Sequence, residues 1–357
     1  MTIADEPVAR EPAPPESSPR TRVRGGLRRA LSPRNSSALY VFVVIFVIFS
    51  LWVPDTFLAE TTWRTLLDSQ SITALVAIGL VVPLAAGAFN LAVGAEVGFG
   101  AILVAWLLSS VGLPIAPAIA LTLVAGALIG VVSGLLIVRA NIDSFIATLG
   151  MSSILIAGIA WVSGGEQILG LSQAFQSIAT TQVFGITLPV YIMLAVALVV
   201  WYGLERTPAG RRVYATGGNI EAARLAGVRT GAVIVVSLAV CGVIAAAAGT
   251  LVTSRIATGD PTVGPAFLLP AFSAAFLGST QFRGGRFNIW GTVVAVYVLA
   301  TGVKGLQLAG APVWIPDLFN GAALLIAVGL AKYHRTARRA GAIGGLVRRR
   351  RYAGGQG

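Results

Sequence analysis

Two polar side chains six residues apart, Asn90 and Glu96, interrupt an otherwise apolar stretch of this 357-residue chain. A carboxyl group at membrane depth costs a few kcal/mol on insertion scales, so it faces a polar cavity or a partner side chain. Two roles stay open for Glu96: lining the path of a polar solute, or standing as a structural carboxylate held by backbone or hydroxyl donors. A proton relay would need a second carboxylate or histidine within the apolar runs, and none accompanies it, which disfavours a proton-driven carrier. The one cysteine, Cys241, sits in an apolar run and reads as a small core residue, so neither a disulfide framework nor a cysteine metal site is expected. The one histidine, His334, lies in a basic stretch beyond the last apolar run, which argues against histidine catalysis and against zinc. No G-x-x-x-x-G-K-[ST] phosphate loop occurs, and no cluster of residues suits an enzyme's active site, so any ATP hydrolysis has to come from another subunit.

The elements that position these groups follow from composition. The chain is 56% hydrophobic and 11% charged, with a mean hydropathy of +0.83, which marks an all-α polytopic membrane protein. Apolar runs predict about ten spans: 39–53, 72–88, a third after the break at 89–94 and ending near Ser110, then 115–138, 145–162, 186–204, 231–252, 266–278, 289–306 and 315–331. The first is short, and the eighth carries Pro270 and reads as either continuous or broken. Residues 55–71 read as a polar connection, and 164–185 as a mostly uncharged loop. Three regions follow: a disordered, proline-rich basic tail over 1–38, a transmembrane domain over 39–331, and a basic tail over 332–357. Glycine-rich breaks at 87–94 and 278–291 are a weak echo of the inverted repeats found in transporters.

Charge orients the spans. The net charge of +12 would suit nucleic acid, but the basic residues cluster in the tails beside membrane spans, where they mark the cytoplasmic side and attract anionic lipid. With both termini cytoplasmic, 23 of the 26 Lys and Arg fall inside, leaving Arg64, Arg255 and Lys304 outside. A membrane location is expected, and a nucleic-acid partner is not.

One polar island, 207–230, separates spans six and seven on that cytoplasmic side. Gly217 and Gly218 break what precedes them, Asn219 can cap a short helix over 220–226, Glu221 suits its N-terminal end, and Gly227 can end it in the left-handed conformation. Glu221 and Arg224 can pair, while Ala222, Ala223, Leu225 and Ala226 are small or apolar enough for another surface to approach. By charge pattern alone the island is either a docking knob or an ordinary solvated loop.

The residues Gly217-Gly218-Asn219 and Glu221-Ala222-Ala223-Arg224-Leu225-Ala226-Gly227 resemble the coupling-helix segment of ABC-importer permeases of the ribose, xylose and galactose type, in the branched-chain-permease-like superfamily. Phe89-Asn90-Leu91-Ala92-Val93-Gly94 is similar to the family's F/I-D-L-S-V-G, with Asn90 and Ala92 replacing Asp and Ser. The block from Asp143 through Ser144, Phe145, Thr148 and Gly150 to Met151 is similar to P-S-F-I-A-T-L-G-M. Phe276-Leu277-Gly278-Ser279-Thr280 with Gly284-Gly285-Arg286 resembles L-G-G-T-S-L-x-G-G-R-G.

The resemblance implies that 218–227 docks a separate ATPase carrying ATP and Mg, that an extracytoplasmic solute-binding protein delivers the substrate, and that a second permease chain, identical or related, completes the pathway. It also implies a prokaryotic inner or plasma membrane. Pathway candidates are then Asn90, Glu96, Ser144, Phe145 and Thr148. Gate or packing candidates are Gly94, Gly150, Gly278, Gly284 and Gly285. The expected function is import of a monosaccharide or related small polar solute by alternating access, with pentose, hexose and polyol all open. A self-contained ion-coupled carrier or channel, with the island as a mere linker, is the alternative.

Overall fold

In a computed structural model, residues 37–281, 285–326 and 328–329 are described, and they are almost wholly helical. The expected tails, His334, Gly284 and the end of the last span fall outside them. Helices α1 (Ser37–Trp52) and α2 (Pro54–Phe57) lead into α3 (Glu60–Ala86), followed by α4 (Val93–Ser109), α5 (Ile115–Val138), α6 (Ser144–Ser163) and the short α7 (Gln173–Thr180). A two-stranded hairpin (Gln182–Val183 with Ile186–Thr187) precedes α8 (Leu188–Arg206), α9 (Pro208–Gly218), α10 (Ile220–Leu225), α11 (Thr230–Ile256), α12 (Leu268–Gln281), α13 (Ile289–Leu308) and α14 (Ile315–Ile326). Among the described residues six helices are long and apolar enough to cross a membrane (α3, α5, α6, α8, α11 and α13), and four shorter apolar ones bring the total to the expected ten.

Two helices form the centre. Beyond its first three turns α3 is apolar all round, and every residue from Ser71 to Ala86 is buried, as expected of a helix surrounded by others. α11 packs on α3, α4 and α5. Its seam with α5 is a close backbone contact: a Cβ on Gly130 would overlap the Leu238 carbonyl oxygen and lie 2.6 Å from Ala239 Cα, and one on Gly242 would overlap the Gly126 carbonyl. Gly126, Gly130 and Gly134 recur every four residues on α5, the small-residue stripe that lets membrane helices approach closely.

Three connections differ from the expected ones. The polar stretch from Glu60 onward is not a loop but the first three turns of α3. It is held by an exposed Glu60–Arg64 pair, by Thr187 donating to Asp68, and by Arg255 donating to the Asp68 carbonyl at 3.4 Å. The expected loop 164–185 contains α7 and the hairpin. Ser172 caps α7, Phe175 is fully buried, and Ser254 Oγ donates to Phe175 O at 2.6 Å while accepting from Ala179 N–H at 3.0 Å. In the eighth span, a 3-10 turn (Gly264–Phe267) runs directly into a continuous α12. Pro270 sits in its first turn, where a missing N–H costs no hydrogen bond.

Candidate functional site

The break between α3 and α4 lies deep in the bundle. Gly87 ends α3 in the left-handed conformation (φ 86°), and the chain then runs irregularly to Ala92. Asn90 touches Cys241, 11 residues beyond the start of α11, which is about 16 Å along that helix. Irregular backbone at such depth needs every N–H satisfied from within the protein. Ser144 Oγ accepts from Phe89 N–H at 3.3 Å, Thr148 Oγ1 from Leu91 N–H at 3.1 Å, and Asn90 Oδ1 from Ala92 N–H at 3.1 Å. Phe145 stacks on Phe89 with ring centroids 4.3 Å apart.

The five residues expected on the substrate pathway therefore converge on one feature. Their observed contacts stitch that break to α6 and α4. Asn90 and Glu96 are buried, and the Asn90 amide donates to both Glu96 carboxylate oxygens at 3.1 Å and to Cys241 Sγ at 3.3 Å. Thus Glu96 is held by a side-chain amide, and among the described residues it forms no ion pair. Ser144 is half-buried, Thr148 buried, and Phe145 exposed.

The glycines divide. A Cβ on Gly94 would lie 3.0 Å from the Gly264 carbonyl oxygen, and one on Gly278 2.6 Å from the Gly291 carbonyl carbon, so both stand at close helix approaches. Around Gly150 and Gly285 such an atom would meet open space, so among the described residues neither packs on another helix.

The polar island is more ordered than a loop. α9 runs through Gly217 and ends at Gly218, so the expected break falls at the second of the two glycines. Asn219 Oδ1 accepts from Ala222 N–H at 3.0 Å to start α10, and Gly227 follows it at φ 81°. Glu221 and Arg224 pair at 3.4 Å in solvent, and Leu225 is 90% exposed. Ala223 is buried against the body of the chain, so the face left for another protein consists of Glu221, Ala222, Arg224, Leu225 and Ala226.

Beneath α10, α9 rests on the end of α3. A Cβ at Gly217 would overlap the Ala85 carbonyl oxygen, and one at Gly87 would lie 3.1 Å from Gly217 Cα. Tyr214 OH donates to Phe287 O at 2.7 Å, and the Arg286 guanidinium sits 4.0 Å from the Tyr214 ring centroid. One short helix thus touches both the turn before the Asn90 break and the connection from α12 to α13.

A cavity of about 420 Å³, unforeseen in the sequence, opens towards the opposite end of the bundle, its wall mixing polar groups with Leu66, Phe267, Val296, Leu299 and Val303. Its wall includes Thr65, Ser69 and Gln70 from α3, Lys304 and Gln307 from α13, and Asn320 from α14. Hydroxyl, amide and ammonium groups in one cleft suit a small solute rich in hydrogen-bonding groups.

Comparison with known proteins bears on the whole arrangement. The L-arabinose ABC transporter permease protein AraH of Azospirillum brasilense is 31% identical over 344 residues, 95% of this chain and 99% of its own length. The ribose import permease protein RbsC is 32% identical in Haemophilus influenzae over 80% of this chain and 89% of its own, and 33% identical in Bacillus subtilis over 81% and 89%. No solved structure matches the chain. Residues 64–328, which hold the Asn90 break, α10 and the cavity, match the family described as branched-chain amino acid transport system / permease component, and the chain belongs to that family of multi-pass transport permeases.

Proposed function

We propose that this chain is the membrane subunit of an ABC importer for a monosaccharide or a similar small polyhydroxylated solute, driven by a separate ATPase that docks on α10. The observation that carries this reading is the placement of α10. It is an exposed knob with an unpartnered leucine, standing on a helix seated against the turn at Gly87. A solvated linker has no need of such seating. In this reading ATP and Mg are bound by the partner and none by this chain. A second permease chain completes the pathway, and a binding protein delivers solute to the end of the bundle carrying α7 and the hairpin. Both termini and α10 lie in the cytoplasm of a bacterial cell, in keeping with the 23 basic residues assigned to that side.

The test is co-purification with candidate ATPases from the same genome, with Leu225→Asp as the interface variant. Leu225 is exposed, so the variant keeps its fold and loses the ATPase, and uptake of labelled ribose or arabinose into vesicles becomes ATP-independent background. Uptake by the purified chain that follows an ion gradient without any ATPase would replace this reading with that of a secondary carrier.

A further inference from the structure

An apolar groove of about 480 Å³ runs between α5, α8 and α11, on a different face from the first cavity. Its wall is built from Val131 of α5, Val196 and Val199 of α8, and Val236, Ala239 and Val243 of α11, together with further Val, Ala and Ile residues. Short β-branched side chains cannot reach across to the facing helix, so a trough is left where a leucine or phenylalanine would have closed it. Nothing on this wall donates or accepts a hydrogen bond from its side chain, which rules out a sugar or a file of water as occupant and leaves hydrocarbon.

The same three helices carry one arginine each at the same end of the bundle. Arg139 caps α5, Arg206 is the last residue of α8, and Arg229 precedes α11. All three are exposed, and the Arg206 guanidinium lies 5.6 Å from the Trp201 ring centroid. Glu205 beside Arg206 and Asp143 four residues after Arg139 are the acids nearest them in sequence, so three arginines against two carboxylates leave these helix ends net positive. Gly231 packs on Val138, which brings the ends of α5 and α11 to one corner. Tyr202, exposed on α8 one turn below Arg206, suits the interfacial layer. The groove residues lie 6 to 15 positions along their helices from these arginines, about 9–22 Å, which spans one leaflet of a bilayer.

We propose that this groove binds one acyl chain of an anionic phospholipid, whose phosphate headgroup is held by Arg139, Arg206 and Arg229. Charge decides between lipid and a second copy of the chain. A two-fold interface through this face would bring its arginines towards their own symmetry mates, whereas a phosphate neutralises them.

The experiment uses the full chain in nanodiscs of mixed phosphatidylglycerol and phosphatidylcholine, extracted into mild detergent, with retained lipid identified by native mass spectrometry. Wild type is expected to keep phosphatidylglycerol at least tenfold over its share in the disc. The combined Arg139→Gln, Arg206→Gln and Arg229→Gln variant loses that preference. Ala239→Trp, which fills the trough, loses the bound lipid of either kind while the protein stays monodisperse. Equal retention of the two lipids by wild type, or undiminished preference in the triple variant, overturns the proposal. So does efficient Ala239→Cys crosslinking between two copies, readable because the native Cys241 is buried.

Discussion

Adjacent glycines at 217 and 218 provide a perturbation with its own control. A Cβ on Gly217 would overlap the Ala85 carbonyl oxygen and lie 3.0 Å from the Ala85 and Ala86 carbonyl carbons, all backbone atoms that no rotamer change can move aside. At Gly218, one residue further along the same helix, nothing lies within 4 Å. Replacing either by alanine recovers about 0.5–1 kcal/mol of helix propensity. Only Gly217→Ala also incurs the overpacking penalty of about 1–3 kcal/mol. The difference between the variants is that penalty, worth about 2–4 °C in melting temperature per kcal/mol. Since α10 keeps its exposed face in both, each should still retain the docked ATPase. Solute uptake at equal protein level should then fall roughly tenfold for Gly217→Ala, a loss of about 1.4 kcal/mol in coupling, and stay at the wild-type level for Gly218→Ala. If the two variants melt together and transport equally, the contact between α9 and α3 carries neither stability nor coupling, and the reasoning fails.

Gly130→Leu forces side-chain bulk into the α5–α11 seam, where even a Cβ would overlap the Leu238 carbonyl; the protein should fail to accumulate in membranes, as read by immunoblot. Asn90→Leu strips the buried Glu96 of its amide donor and should cost about 1–3 kcal/mol, whereas the double variant with Glu96→Met, apolar at both positions, should recover most of it; a thermal double-mutant cycle with no coupling between the sites would refute the pairing. Asp260, in the loop after α11, is held below the usual carboxylate range by the Thr262 N–H, then the Thr262 hydroxyl, with the Gln167 amide adding to both. Because the folded value is depressed, its contribution is present above the unfolded value of about 3.9 and is lost as pH falls through the folded one, so Asp260→Asn should flatten the acid side of a melting-temperature profile. Tyr214→Phe keeps the ring under Arg286 but removes the hydrogen bond to Phe287 O, about 1 kcal/mol, and should reduce solute-stimulated ATPase activity in vesicles while leaving ATPase binding unchanged.

Much of this was legible before any coordinates. Apolar run lengths located the spans, and Asn219 and Gly227 marked the ends of α10, because caps and left-handed stops are local chemistry carried by single residues. The blocks around Asn90 and Ser144 picked out residues that the fold brings together at one break. What the sequence could not show was that Ser144 and Thr148 bond to backbone N–H groups 55 and 57 residues away, since nothing local encodes that pairing. The glycine stripe at 126, 130 and 134 is readable by its spacing, though 42 glycines in the chain dilute that signal. The hairpin after α7 turns on Phe184 and Gly185, both at positive φ, and Phe-Gly is not the Asn-Gly that announces such a turn. The cavity wall combines residues from α3, α12, α13 and α14, so it exists only once those helices are packed.

Close backbone contacts hold the bundle in two groups, themselves tied where Gly94 of α4 meets Gly264 in the turn leading into α12. α4, α5 and α11 are joined where only glycine fits: Gly126 against Gly242, Gly100 with a Cβ position 2.9 Å from Ala246 Cα, and Gly249 against the Val97 carbonyl. α12 and α13 are joined in the same way through Gly278 and Gly291. Helices locked backbone to backbone move as one, because any slide drives carbonyls into one another. α3 stands between these blocks. It meets the second of them along a seam that includes the cavity, whose wall mixes hydroxyls, amides and Lys304 with Leu66, Val296 and Leu299. α9 touches both sides of it, α3 through Gly217 and the α12–α13 connection through Tyr214. In the proposed reading, a force applied to α10 therefore reaches α3 and the α12–α13 connection through the same short helix.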